Sequence, residues 1–178
     1  MTDTMLVRLA TPADLPAIHH LYLRVIEEQE TVRHHPCWRK GVYPEEVYLG
    51  QCIEAQELWV AEIQGVIAGA IVINEKYHEQ YTRAPWACEA LHGEFCVLHT
   101  LAVSPSFRRR GVADALLTRM KALASSWGKK SLRVDVIDNN LPIEPLYLRH
   151  GFQRCTAMRM YYDAVGWQLF HLYELPLS

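Results

Sequence analysis

The chain has no excess of positive charge, since 18 Lys and Arg residues are set against 20 Asp and Glu residues, for a formal net charge of −2. A surface that holds nucleic acid or anionic lipid is normally basic overall. The charge balance therefore argues against both, and we expect neither a nucleic acid nor a membrane as partner.

Paired cysteines and long apolar runs are also missing. The five cysteines form an odd set without a CxxC pair, so we expect reduced thiols rather than disulfides or a zinc site. The start MTDTMLVRLA lacks the basic segment and apolar run of a signal peptide. No segment approaches the roughly 18 uninterrupted apolar residues of a membrane helix. We therefore expect a soluble, cytoplasmic protein.

The length of 178 residues, half of them hydrophobic, fits a single domain over residues 1–178. Alternating and helical periodicities predict seven strands and four helices. The predicted strands are 5–9, 58–63, 66–74, 94–103, 132–136, 152–161 and 167–175, and the predicted helices are 14–30, 44–53, 112–127 and 143–150. Two segments, 34–46 and 75–93, have no regular spacing of hydrophobic residues and are predicted to be loops that line a site.

Three arginines stand where a predicted strand turns into a helix, in LAVSPSFRRRGVA at residues 101–113. Such a turn points unpaired backbone N–H groups outward at a helix N-terminus, where the helix dipole favours negative charge. Gly111 lets the backbone approach a ligand closely, and Arg108, Arg109 and Arg110 raise the local potential. Neither a Walker A loop nor GxGxxG is present, so we predict another kind of phosphate-binding turn.

Three motifs in a fixed order resemble the GNAT superfamily of acyl-CoA-dependent N-acyltransferases. In that family a Leu-Ala-Val-like strand end leads through Pro and (Arg/Gln)-x-x-Gly-x-(Gly/Ala) into a long helix. An Asn and Leu-Tyr-x-x-x-Gly-Phe follow. This chain carries LAVSPSFRRRGVA, Asn140 and LYLRHGF at residues 146–152. Ala113 replaces the commoner Gly, and Pro142 follows Asn140 where the family often has a small residue.

The resemblance implies an α/β (α+β) fold with a central mixed, mostly antiparallel, splayed sheet flanked by helices, and a β-bulge that opens a slot. It implies acetyl-CoA as cosubstrate and no metal. The backbone of Leu101, Ala102 and Val103 is expected to pair with the pantetheine arm. The expected cofactor-binding residues are Leu101, Ala102, Val103, Arg108, Arg109, Arg110, Gly111, Val112, Ala113, Asp114, Asn140 and Tyr147.

Acyl transfer to an amine needs a proton acceptor and a stabilised leaving thiolate. Tyr147 matches the family position whose hydroxyl reaches the CoA sulfur. His99 is a candidate base, because its ordinary pKa suits neutral pH and a histidine on this strand relays the amine proton in some family members. The alternative for His99 is a core histidine. Asp135 and Glu94 are further candidates, with salt-bridged surface carboxylates as the alternative.

The amine acceptor is not fixed by the sequence. Aromatic residues in the two loops favour a small-molecule amine in a pocket with apolar walls. A protein N-terminus, a lysine or a non-catalytic CoA-binding role are the alternatives. Cys96 lies early in its strand, which favours direct transfer over a covalent intermediate. His34, His35 and His78 have no metal-ligand spacing, and a homodimer is left open.

Overall fold

Seven strands form one sheet in the computed structural model, which describes residues 4–177. The sheet order is β1-β2-β3-β4-β5-β7-β6, and every neighbouring pair is antiparallel except β4 and β5. The strands are β1 (Met5–Leu9), β2 (Leu58–Ile63), β3 (Val66–Asn74), β4 (Phe95–Val103), β5 (Ser131–Ile137), β6 (Gln153–Tyr162) and β7 (Gly166–Pro176). This confirms the predicted mixed, mostly antiparallel sheet.

Four helices pack on the sheet: α1 (Leu15–Gln29), α2 (Glu46–Glu54), α3 (Val112–Ser126) and α4 (Glu144–Arg149). Short 3₁₀ turns precede or connect them at Pro12–Asp14, Glu79–Arg83, Pro105–Phe107 and Asp138–Ile143. All predicted elements are present, and their ends differ from the predictions by the one or two residues usual at helix and strand ends.

The alternation of side chains along β2 shows why helices cover both faces. Leu58 and Val60 are buried against α1 and α2, whereas Trp59 and Ala61 are buried against α3. Successive side chains of a strand point to opposite faces, so an apolar run without alternation belongs to a strand buried on both sides. Two apolar layers result, one on each face of the sheet.

A capping box formed by Thr11 and Asp14 stands at the 3₁₀ turn that leads into α1. The Asp14 carboxylate accepts hydrogen bonds from the Thr11 backbone at 2.7 Å and from Arg8 at 2.7 Å. These bonds satisfy a donor at the helix start and tie it to β1. Residues 1–3, which belong to the segment examined for a signal peptide, lie outside the described residues.

Within residues 4–177, no helix is both long and apolar enough to cross a membrane. All five cysteines are free thiols, as the sequence predicts. Cys52 and Cys96 are buried in the two apolar layers.

Candidate active site

The sheet opens between β4 and β5. These strands pair only from Phe95 to Val97 with Ser131 to Arg133, and they separate beyond that point. On the other side of β4, Ala70 faces Ala102 but Val72 faces His99, so β4 has one more residue than β3 over this stretch. The extra residue is a β-bulge, which bends a strand and increases its twist. The bulge and the splay predicted for this strand are both present.

Thr100 is the residue at the bulge with an unusual backbone. Its φ is +51°, which a β-branched residue rarely adopts. Tyr22 of α1 donates a hydrogen bond of 2.7 Å from its hydroxyl to the Thr100 carbonyl, and Tyr22 itself is fully buried. A helix on one face of the sheet therefore holds the bulge in place.

A cavity of about 750 Å³ lies at the splay. It is lined by Leu101 and His99 of β4, Asp135 of β5, Asn140 of the following 3₁₀ turn and Tyr147 of α4. The structure therefore brings together five of the residues predicted from the sequence. The two loops at 34–46 and 75–93 also line it, through Trp38, Tyr43 and Tyr77, and α2 contributes Tyr48.

His99 is held by a side chain of the neighbouring strand. Its Nε2 lies 3.0 Å from Oδ1 of Asn74, the last residue of β3. Burial lowers the pKa of His99, while the negative charge of Asp135 acts in the opposite direction. A histidine whose pKa is lowered is neutral at pH 7 and can accept a proton.

Asp135 is bound by two phenols. Its Oδ2 accepts hydrogen bonds from the hydroxyls of Tyr81 at 2.7 Å and Tyr162 at 2.9 Å. Burial raises the pKa of both tyrosines far above the usual value, and the nearby Asp135 charge adds to the effect. The phenols therefore remain protonated donors. The sequence points to Asp135 alone, since Tyr81 and Tyr162 lie far from it in the chain and carry no motif.

Tyr147 lies on the wall of the cavity with its ring buried. The ring contacts Phe152, with centroids 5.5 Å apart, and Tyr173 at 6.2 Å. Among residues 4–177, no group forms a hydrogen bond with the Tyr147 hydroxyl. Burial raises the pKa of this hydroxyl well above its usual value. The group is a neutral proton donor at physiological pH.

Glu94 lies away from this cluster. Its Oε2 accepts hydrogen bonds from Lys130 at 2.7 Å and from the Leu91 backbone at 2.9 Å. The Lys130 partner lowers the pKa of this exposed carboxylate. Glu94 precedes β4 and is not among the residues that line the cavity. The structure thus brings His99, Asp135 and Tyr147 together and leaves Glu94 apart.

The arginine-rich turn has the geometry expected of an anion-binding site. Gly111 has a φ of +77° and Arg109 a φ of +59°. A Cβ atom on Gly111 would meet no protein atom within 4 Å, so space is open beside it. Within the described chain, the N–H groups of Val112, Ala113 and Asp114 at the start of α3 have no backbone acceptor. These are the unpaired donors that bind phosphate at helix N-termini.

Arg108 and Asp114 of this turn form ion pairs with other parts of the protein. Arg108 forms a salt bridge with Glu28 of α1, with an Nη1 to Oε1 distance of 2.8 Å. Asp114 binds Arg149 at 3.0 Å and His150 at 2.9 Å. Arg110 lies over the Phe107 ring, 5.1 Å from its centroid. The Glu28 carboxylate therefore offsets the positive charge of Arg108.

Two histidines of the loops, His34 and His78, contact backbone carbonyls. His34 Nδ1 lies 3.3 Å from the Asn139 carbonyl, and His78 Nε2 lies 3.0 Å from the Tyr161 carbonyl. Each contact fastens a loop to the wall of the cavity. Across residues 4–177, no three His, Cys, Asp or Glu side chains form a group that could hold a metal ion.

The family model described as the acetyltransferase (GNAT) family matches residues 16–152. Over 95 residues the chain is 35% identical to the [ribosomal protein bS18]-alanine N-acetyltransferase of Haemophilus ducreyi, an alignment that covers 53% of this chain and 65% of that relative. The match therefore spans slightly less than two thirds of the relative's length.

Solved structures share the fold. A ribosomal-protein-alanine N-acetyltransferase from Brucella melitensis superposes with a TM-score of 0.72 at 20% identity, covering 97% of this chain and 99% of that chain. A Salmonella typhimurium protein solved with its cofactor acetyl-CoA gives a TM-score of 0.72 at 19% identity, covering 98% of this chain and 94% of that chain. Because the family model matches more than half of this chain, over residues 16–152, the chain belongs to the GNAT family of acetyltransferases.

Proposed function

We propose that the protein is an N-acetyltransferase that transfers the acetyl group of acetyl-CoA directly to a primary amine, with a small-molecule amine as the favoured acceptor. The observation that carries this proposal is the placement of His99, Asp135 and Tyr147 around one cavity at the gap between β4 and β5. Acyl transfer to an amine requires a proton acceptor for the amine and a proton donor for the leaving thiolate, and His99 and Tyr147 are suited to these two roles.

The gap and the turn fit the acyl donor. Beyond Val97, the edge of β4 that faces β5 has no strand partner among residues 4–177, so its backbone groups can bind a ligand. The N–H groups at the start of α3 and the open space at Gly111 suit a diphosphate. The open edge of β4 and the turn at Gly111 follow one another along the chain. The edge would bind the thioester end of the donor, and the turn would bind its diphosphate.

The residues of the cavity divide the chemistry. His99 accepts the proton that the ammonium form of the acceptor must lose. A backbone N–H of β4 polarises the thioester carbonyl as the amine nitrogen forms its bond to the carbonyl carbon. Tyr147 then donates its proton to the sulfur as the C–S bond breaks, and the second proton that the nitrogen loses as it becomes an amide returns to the Tyr147 oxygen. Cys96 takes no part, because burial raises its pKa to about 11 and leaves the thiol protonated.

The cavity favours a cationic acceptor. Its lining contains three carboxylates, Glu79, Asp135 and Asp163, and one ammonium, Lys76. An acidic lining attracts an amine, which is protonated in solution at neutral pH. Aromatic walls from Trp38, Tyr43 and Tyr77 provide apolar contact and cation–π attraction.

A protein N-terminus is the second candidate acceptor. It is supported by the similarity to the Haemophilus ducreyi [ribosomal protein bS18]-alanine N-acetyltransferase. An N-terminal amine would need to pass between the two loops to reach His99.

An acceptor screen tests both candidates. The protein would be mixed with acetyl-CoA and either a library of small amines or peptides with an N-terminal alanine, and thiol release would be followed. Turnover with a small amine and none with peptides supports the proposal. The reverse result identifies the second candidate, and CoA binding without thiol release in any mixture identifies a non-catalytic CoA-binding protein. A single domain over residues 1–178 and a cytoplasmic location stay predictions, and a homodimer stays open.

A further inference from the structure

The side chains of Glu57, Asn74 and His99 form a hydrogen-bonded series that ends at the cavity. The Glu57 carboxylate, just before β2, accepts a hydrogen bond of 2.9 Å from Nδ2 of Asn74. The other end of the same amide, Oδ1, lies 3.0 Å from Nε2 of His99. Asn74 is 8% exposed, whereas Glu57 is less deeply buried. The hydrogen-bonded series therefore runs from near the surface to the cavity.

The partners of Asn74 fix which way its amide points. A carboxylate only accepts hydrogen bonds, so the atom facing Glu57 must be the NH₂ group. The Lys76 backbone N–H donates to the other atom at 3.0 Å, so that atom must be the carbonyl oxygen. A reversed amide would place oxygen against oxygen and N–H against N–H. Both contacts therefore require the orientation observed.

This orientation determines the tautomer of His99. The Asn74 oxygen can only accept, so Nε2 of His99 must carry the ring proton that is donated to it. In a neutral imidazole, the other nitrogen then holds the lone pair. We propose that Glu57 and Asn74 are positioning residues that hold His99 as its Nε2–H tautomer, so that Nδ1 is the nitrogen that accepts the proton of the amine.

The Glu57 charge also acts on the protonated ring. When His99 accepts a proton, the positive charge is stabilised through the polarised amide and by the carboxylate behind it. Asp135 of β5 favours the protonated ring as well, as does the Lys76 backbone, while the Lys76 ammonium disfavours it. Lys76 and Glu57 form an ion pair at 3.2 Å, so the two opposing charges lie together at the outer end of the hydrogen-bonded series.

The expected effect on kcat rests on the proposed function, whereas the expected tautomer of the His99 ring does not. The tautomer can be measured in the isolated protein, without donor or acceptor, from the ¹⁵N shifts of the His99 ring in a long-range ¹H–¹⁵N correlation spectrum. We expect a protonated Nε2 and an unprotonated Nδ1 in the wild type. A ring proton on Nδ1 would overturn the proposal, whether or not any amine is acetylated.

Two variants test the two residues separately. Asn74→Leu removes the acceptor and should give a mixture of His99 tautomers, with kcat lower by roughly 10-fold or more, as for loss of a hydrogen-bonded partner of a reactive histidine. Glu57→Gln keeps an acceptor for Asn74 but removes the charge. It should preserve the tautomer and lower the titration midpoint of His99 by about half a pH unit.

Glu54→Gln is the matched control, since Glu54 is an exposed carboxylate at the end of α2. It should leave the spectrum and the titration of His99 as in the wild type. If Glu57→Gln also leaves the titration midpoint unchanged, Glu57 has no influence on His99 and the proposal fails. If the ring behaves as expected but no amine is acetylated, the proposed function fails and the positioning of His99 stands.

Discussion

The hydroxyl of Tyr22, in the middle of α1, donates to the carbonyl of Thr100, the bulge residue of β4, over 2.7 Å. The two residues are far apart in sequence, yet the bond joins the first long helix to the point where the sheet opens. Thr100 is in a left-handed conformation that is unfavourable for a β-branched residue, so its geometry must be held by its neighbours. Tyr22 is one of the groups that hold it.

Tyr22→Phe should therefore weaken the bulge. Losing a buried hydrogen bond and leaving a carbonyl without its donor costs about 1–3 kcal/mol of unfolding free energy. Denaturant unfolding measures this loss. We also expect a higher KM for acetyl-CoA, since the bulge sets the direction of the strand. Tyr161→Phe, which changes an exposed tyrosine of β6, is the control. Equal stability of the Tyr22 variant and the wild type would contradict the assignment.

Gly111→Val should abolish CoA binding. A side chain here would occupy the open space beside the N–H groups at the start of α3, and a β-branched residue is also strained at a φ of +77°. Isothermal titration calorimetry with CoA measures the effect. Arg108→Gln should change the affinity by only about 3-fold or less, because Arg108 is already neutralised by Glu28 and exposed charges contribute little. A Gly111 variant with wild-type affinity would rule out this turn as the diphosphate site.

Tyr147→Phe should lower kcat by about 10- to 10⁴-fold and leave the affinity for CoA nearly unchanged. The hydroxyl has a raised pKa and forms no hydrogen bond within residues 4–177, so its loss removes a proton donor without breaking a contact of the fold. Steady-state kinetics with an acceptor from the amine screen and a CoA titration separate the two effects. Wild-type kcat in this variant would reduce Tyr147 to a packing residue.

His99→Gln should remove the acidic limb of the pH profile of kcat/KM. The active form of a base is deprotonated, so activity is lost as the pH falls through its pKa. Burial lowers the pKa of His99, which places this limb below the ordinary histidine value near 6.5. The rate of the variant should fall by about 10²-fold or more. A variant that keeps both the rate and the limb would exclude His99 as the base and leave Asp135, acting through water, as the remaining candidate in the cavity.

The sequence predicts the elements of this fold because their apolar positions repeat cleanly. In α3, Val112, Leu116 and Met120 recur at helical spacing and are all buried. The turn before α3 is predictable as well, since Gly111 and the start of a helix fix a local geometry. The bulge follows from resemblance to the family rather than from any pattern in the residues themselves.

The contacts that shape the site are not predictable in the same way. Tyr81, Asp135 and Tyr162 come from a loop and two strands, and only the folded sheet brings them together. Asn74 carries no motif, and its role depends on the register that sets β3 beside β4. The ion pair between Arg108 and Glu28 likewise joins distant parts of the chain. Local patterns contain no information about such partners.

The short pairing of β4 and β5 gives the protein an edge inside its own sheet. Strand edges usually lie at the outer rim, where another protein chain can add to them. Here two edges face each other beyond Val97 and Arg133, with protein on both faces of the sheet. An extended molecule that carries amide groups can form backbone hydrogen bonds with such strand edges. The interrupted pairing thus leaves backbone groups that a missing strand would have used, and these are the groups to which we expect the acyl donor to bind.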